Sequence, residues 1–203
     1  MKKWYLSVIT AIILTICPIL LSCGEDSSGL PPAQKDSDQP LPNTTVIWNP
    51  DGVIVDNEYL GEMQYGNYEI RWASDDKNAY ISIKAKTSGW VAVGFNPTSR
   101  MENADMIIGS VQDGNVTVID QFSTGIYGPH SPDIELGGTD DIIEFGGREE
   151  GGFTIIEFSR PLDTGDQYDN VLARGKVEII WSYGANDDIE RQHITRGYGE
   201  ISL

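Results

Sequence analysis

An antiparallel β-sandwich of immunoglobulin-like architecture, all-β and in one domain, is the fold this sequence predicts. Three observations predict it. Apolar and polar residues alternate with period two over several short runs, as on half-buried strands. Turn residues, mainly Gly, Asn, Asp and Pro, separate those runs at short intervals. No stretch carries the apolar periodicity of a long amphipathic helix.

The elements follow in chain order from about Thr44. Val46-Ile47-Trp48 opens the domain, and Asn49-Pro50-Asp51-Gly52 is a turn. Tyr68, Ile70 and Trp72 alternate with Glu69 and Arg71 as a half-buried strand. Asp75-Asp76-Lys77-Asn78 reverses the chain into a second strand, where Ile81, Ile83 and Ala85 alternate with Tyr80, Ser82 and Lys84. Residues 90–95 (WVAVGF) are small or apolar on both faces, which fits a strand inside a packed structure. Asn96-Pro97-Thr98-Ser99 breaks that strand, and a polar loop then carries Met101. Residues 106–111 and 116–122 flank Asp113-Gly114, a strong hairpin signal. Residues 123–140 read as a long loop. A further hairpin joins residues 142–145 to 153–158 across a glycine-rich turn. Val177, Ile179, Trp181 and Tyr183 form another alternating strand, and residues 199–203 a short closing one. Met63 and Met106 read as core filler.

The segment before the domain has another character. Lys2 and Lys3 precede an apolar run that ends at Leu20-Leu21-Ser22-Cys23, so residues 1–22 read as an export signal, too short for a comfortable membrane span. Leu-Leu-Ser-Cys resembles a bacterial lipobox, whose cysteine becomes the lipid-modified N-terminus. That resemblance implies an extracytoplasmic lipoprotein, at the periplasm or cell surface, anchored to the membrane through Cys23. Residues 23–43, rich in Ser, Asp and Pro, read as a disordered tether, and residues 44–203 as the domain. With two cysteines, one of them in the signal, no disulfide is expected. Loss of the signal leaves 12 basic against 31 acidic residues. That balance disfavours nucleic acid and anionic membrane surfaces as partners.

Several segments together resemble the DOMON domain family. They are Trp48-Asn-Pro-Asp-Gly52, Ile70-Arg-Trp72, Gly89-Trp-Val-Ala-Val-Gly-Phe95, Met101 with Ala104-Asp105, Glu157-Phe-Ser-Arg-Pro-Leu162 and His193-Ile-Thr-Arg-Gly197. The family is a β-sandwich related to the cytochrome domain of cellobiose dehydrogenase, and some members hold haem b between the sheets on a methionine and a histidine. The resemblance implies Met101 and His193 as axial ligands, with Trp90, Phe95, Trp181 and Tyr183 as walls of the haem slot. Such a pair suits one-electron transfer rather than oxygen activation. His130 stands in reserve as an axial ligand, and Arg100, Arg191 and Arg196 are candidates for the haem propionates. The absence of Cys-x-x-Cys-His excludes covalent c-type attachment.

The implied function is electron transfer with a redox partner protein, not enzymatic catalysis. No Gly-x-Ser-x-Gly elbow is present, and the neighbours Ser131 and Asp133 do not make a triad with His130. The alternative is a non-haem module that binds a sugar or another small ligand, or a domain that packs against a partner. Acidic turns at Asp140-Asp141 and Asn186-Asp187-Asp188 are secondary candidates for calcium, though neither matches an EF-hand loop.

Overall fold

The computed structural model describes residues 47–203. The signal, Cys23 and the tether lie outside the described residues. Two antiparallel sheets pack face to face, and no barrel closes, so the molecule is a β-sandwich as the alternation predicts. The five-stranded sheet contains β1 (Gly61–Tyr65), β2 (Tyr68–Ser74), β3 (Asn78–Ala85), β9 (Phe153–Pro161) and β8 (Glu144–Glu150), in that spatial order. The six-stranded sheet runs β11 (Thr195–Ser202), β10 (Lys176–Tyr183), β4 (Val91–Phe95), β5 (Asp105–Gln112), β6 (Asn115–Ser123) and β7 (His130–Pro132).

Parity along the strands decides what faces what. From β4 and β10, Val91, Val93, Phe95, Ile179, Trp181 and Tyr183 enter the core between the sheets, against Ile70, Ile81, Ile83, Ile156 and Phe158. The alternate residues Ala92, Gly94, Met106, Ile108 and Ile180 lie on the other face of the six-stranded sheet, where Trp90 and Ala104 join them in a second apolar cluster. Continuous apolar runs such as residues 90–95 arise because both faces are covered. Tyr68 and Trp181 stack at 4.9 Å across the main core, and the Tyr68 hydroxyl donates to the Ala92 carbonyl.

Several elements differ from their sequence expectation. β1 carries no alternation because it is an edge strand largely exposed on both faces, and Met63 on it is 41% exposed rather than core filler. The stretch read as a glycine-rich turn is instead β8, which runs through Gly146 and Gly147 before turning at Gly151-Gly152. Gly146 serves close approach: a Cβ there would land on the Pro50 carbonyl oxygen. The predicted long loop contains β7 and a single helical turn, α1 (Asp133–Leu136). The closing strand is longer than predicted because β11 pairs with the whole of β10.

Residues 47–60 are held onto the five-stranded sheet by Glu157. Its buried carboxylate accepts from the Gly52 amide (2.6 Å) and the Tyr59 hydroxyl (2.6 Å), and Tyr59 in turn accepts from the Trp48 indole (2.9 Å). Burial pushes Glu157 up to about 6, against the two hydrogen bonds that favour the carboxylate. A folded-state value above the unfolded one means that the folded chain keeps this proton between about pH 4.5 and 6. This contribution to stability is therefore largest at acid pH and is lost as pH rises through that window, by about 2 kcal/mol. Urea unfolding of wild type and Glu157→Gln at pH 4.5 and 7 isolates it. The difference between the two proteins should move by that amount, and a difference that stays flat with pH refutes it.

Candidate functional site

The second apolar cluster floors a cavity of about 400 Å³ on the outer face of the six-stranded sheet. Strand register explains the hollow. Gly94 stands between Ile180 on β10 and Met106 on β5, and on the neighbouring row Ala92 stands between Ser182 and Ile108. Two residues with little or no side chain thus leave a trough along β4, with longer side chains as its banks.

Three segments roof the trough. Residues 96–104 join β4 to β5 and bring Met101 over it. Residues 124–130 follow β6 and bring Ile126, Tyr127 and His130. Residues 184–194 join β10 to β11 and bring Ile189, Arg191 and His193. The first two enter from the end of the sheet where Phe95 pairs with Asp105, and the third from the end where Tyr183 pairs with Val91. Met101 and His193 therefore reach the same cavity from opposite ends of the strands.

The backbone presents Met101 deliberately. Asn96, Arg100 and Asn103 all adopt left-handed φ values (45°, 56° and 57°), uncommon for residues other than glycine. Turn hydrogen bonds offset that strain: Glu102 donates to Ser99, Ala104 to Met101, and Asn103 to Ser123. The Met101 amide donates to the Ile126 carbonyl (3.3 Å), which joins the first two roof segments. The Arg100 guanidinium lies 5.0 Å from the Tyr127 ring centroid and adds a cation–π contact between them.

Met101 and His193 both line the cavity, and so does His130, whose Nδ1 lies 2.7 Å from the Gln121 amide oxygen. Burial lowers the pKa of both histidines, and His193 is lowered further by the positive charge of Arg196. Both rings are thereby kept neutral, with a nitrogen lone pair free to ligate. Arg100, Arg191 and Arg196 also line the cavity, three of the chain's seven arginines in a strongly acidic protein.

The proposed walls divide. Trp90 borders the cavity with its indole laid on Gly184, where a Cβ would collide with the ring, and its buried Nε1 has no hydrogen-bond partner. Trp181 also borders the cavity while its ring stacks on Tyr68. Phe95 and Tyr183 do not line it. Both point into the core between the sheets, because they have the opposite parity to Gly94 and Ser182. The expectation of a slot between the sheets is corrected with them: that space is filled by the main core, and the cavity lies outside it. Sequence reasoning passed over Gln121, which fixes His130, and Ile126 and Ile189, which close the roof.

A model of the DOMON domain matches residues 64–184. The mouse protein DBH-like monooxygenase protein 1 is 30% identical over 138 residues, which cover 68% of this chain and 21% of that protein. Its human counterpart is 29% identical over 122 residues, and the Drosophila melanogaster protein MOXD1 homolog 1 is 29% identical over 139. The chain spans about a fifth of the length of these curated relatives. Among solved structures, the cytochrome domain of Myriococcum thermophilum cellobiose dehydrogenase overlaps with a TM-score of 0.49 at 14% identity, covering 67% of this chain and 74% of that one. The cytochrome b domain of Coprinopsis cinerea pyranose dehydrogenase overlaps with a TM-score of 0.48 at 10% identity, covering 66% and 76%.

Proposed function

This chain belongs to the DOMON domain family, and we propose that it is a haem b-binding electron-transfer protein rather than an enzyme. It would be held outside the cytoplasm by a lipid on Cys23. The observation that carries the reading is the arrival of a thioether and a neutral imidazole, Met101 and His193, in one apolar cavity from opposite ends of a sheet.

The residues present fit the cofactor. Ala92, Ile108, Ile180 and Trp90 offer apolar surface, while Met101, His193 and His130 are soft and borderline donors suited to iron. Arg100, Arg191 and Arg196 offer three guanidiniums for the two carboxylates of a haem. The bound haem supplies a one-electron couple, which methionine–histidine ligation sets at relatively high potential. The chain's own part is to exclude water from the trough, hold the imidazole unprotonated and present the sulfur on a braced loop. The partner would be another redox protein.

One observation favours a second reading, a module for a sugar or another small ligand. Tyr127 (70% exposed) and Tyr198 (59%) stand beside the cavity and offer exposed aromatic surface for stacking, Tyr127 on the face that Arg100 does not cover. Haemin titration of the purified full chain separates the two. The haem reading expects a Soret band and sharp bands on reduction at one haem per chain. A chain that stays colourless while glycans bind it would replace that reading with the second.

A further inference from the structure

Outside the cavity, the sandwich buries more carboxyl groups than it pairs. Asp105 opens β5, Asp120 lies on β6, and Asp169 lies in the connection between β9 and β10. One carboxylate oxygen from each lies within 4.8 Å of those from the other two. Among the described residues, the only guanidinium beside them is that of Arg160 on β9, itself 1% exposed. It donates to Asp105, and its other amino nitrogen stands 3.3 Å from Asp169 without the alignment of a hydrogen bond. Asp120 has no cation; one of its oxygens accepts from the Asp141 amide.

The remaining oxygens have nothing to bond. Asp105 Oδ1, Asp120 Oδ1 and both oxygens of Asp169 are buried without hydrogen-bond partners. Asp133, 1% exposed, adds a fourth carboxylate within electrostatic reach of Asp105 and Asp169, and neither of its oxygens has a partner either. Native interiors rarely leave so many acceptors unsatisfied in one place, and a buried net charge is costly unless something of opposite sign sits beside it.

We propose that Asp105, Asp120 and Asp169 form a binding site for a hard divalent cation, calcium by preference. All the donors are oxygens, which excludes soft metals. Ligands about 2.4 Å from a shared calcium ion stand at most about 4.8 Å apart, and the carboxylates already meet that limit. Magnesium demands a tighter octahedron at about 2.1 Å and gives up its waters reluctantly. A single guanidinium cannot serve three carboxylates that approach from two strands and a loop, whereas an ion with six to eight ligands can.

The site would brace the segment that carries Met101. Asp105 Oδ2 accepts from the Asn170 amide, and the Asn170 side chain donates to the carbonyls of Phe95 (3.0 Å) and Asn103 (2.8 Å). Those two carbonyls flank the Met101 loop on either side. The proposal does not rest on the haem reading, because the cluster lies apart from the cavity lining.

The test uses the full chain, stripped with a chelator and titrated with calcium chloride alone, by calorimetry and by thermal unfolding. One calcium per chain is expected, with an affinity on the order of 10⁻⁴ M or tighter and a rise in Tm, and with weaker binding of magnesium. Asp120→Asn and Asp169→Asn should each weaken calcium binding at least about tenfold, since each replaces a charged ligand by a neutral one of the same shape. Asp76→Asn, on an exposed turn, should leave it unchanged. A folded wild-type chain that takes up no calcium at millimolar concentration overturns the proposal, as does undiminished binding in both cluster variants. The wild-type titration decides the matter even if one variant fails to fold.

Discussion

Arg160→Met is expected to remove a large share of the domain's stability at neutral pH, the largest effect of any single change considered. Among the described residues the guanidinium is the one positive charge paired with this cluster, and Met keeps its apolar stem while deleting it. Breaking a buried ion pair on one side costs about 3–5 kcal/mol, because the abandoned charges stay buried. Domain stabilities are about 5–15 kcal/mol, so the loss is a large share of the total. Denaturant unfolding in chelator measures it. Burial pushes Asp120 up to about 8 and Asp169 to about 6 even beside the guanidinium, so both take up protons still more readily once it is gone. Part of the loss should therefore return at pH 5. Adding Asp105→Asn to the variant should restore part of it at pH 7. A variant within about 1 kcal/mol of wild type at pH 7 would mean that the cluster does not hold buried charge.

His193→Ala is expected to convert six-coordinate haem to a five-coordinate form, with the Soret band and the sharp reduced bands shifting together. Met101→Ala should do the same. Phe95→Leu should leave the spectrum unchanged, although the sequence offers Phe95 as a wall as readily as Trp90, because its ring is in the core between the sheets. His130→Ala decides between the two imidazoles: if it alone alters the spectrum, His130 is the ligand and His193 is not. The pH dependence follows from the depressed pKa. Burial and Arg196 keep the His193 ring neutral below the ordinary histidine value, so any ligation by it should persist through neutral pH. It is lost as the medium is acidified through the folded-state value, when a proton takes the lone pair. Haem affinity that does not fall with acid would exclude a histidine ligand.

Much of this molecule is legible in its sequence, and particular residues show where legibility stops. Tyr68, Ile70 and Trp72 announce their strand because one face is buried and the other is not. Residues 61–65 announce nothing, since an edge strand wet on both faces has no pattern to display. Parity carried more than was taken from it. Trp90 and Phe95 differ by an odd number of positions, and side chains on one strand with that spacing face opposite ways. The two therefore cannot share a wall, and Met106 on the trough side was a better neighbour for Met101 than either Phe95 or Tyr183. The acidic cluster was illegible for another reason. Asp105, Asp120 and Asp169 are far apart in the chain and meet only through strand pairing and a loop that crosses between sheets. The local sign was a lone carboxylate at an inward position of an apolar strand, as at Asp120 in Val-Ile-Asp-Gln-Phe.

The trough lies on the far side of a sheet whose other face makes the main core, so apart from Trp181 and Val93 the main core and the cavity draw on different side chains. Roof residues such as Met101, Tyr127 and His193 can be exchanged without opening a void between the sheets. A lineage is then free to lose one guest and acquire another while its scaffold stays sound. On such a scaffold, ancestry is a poor guide to cargo, and each descendant has to be judged by the handful of side chains over its own trough.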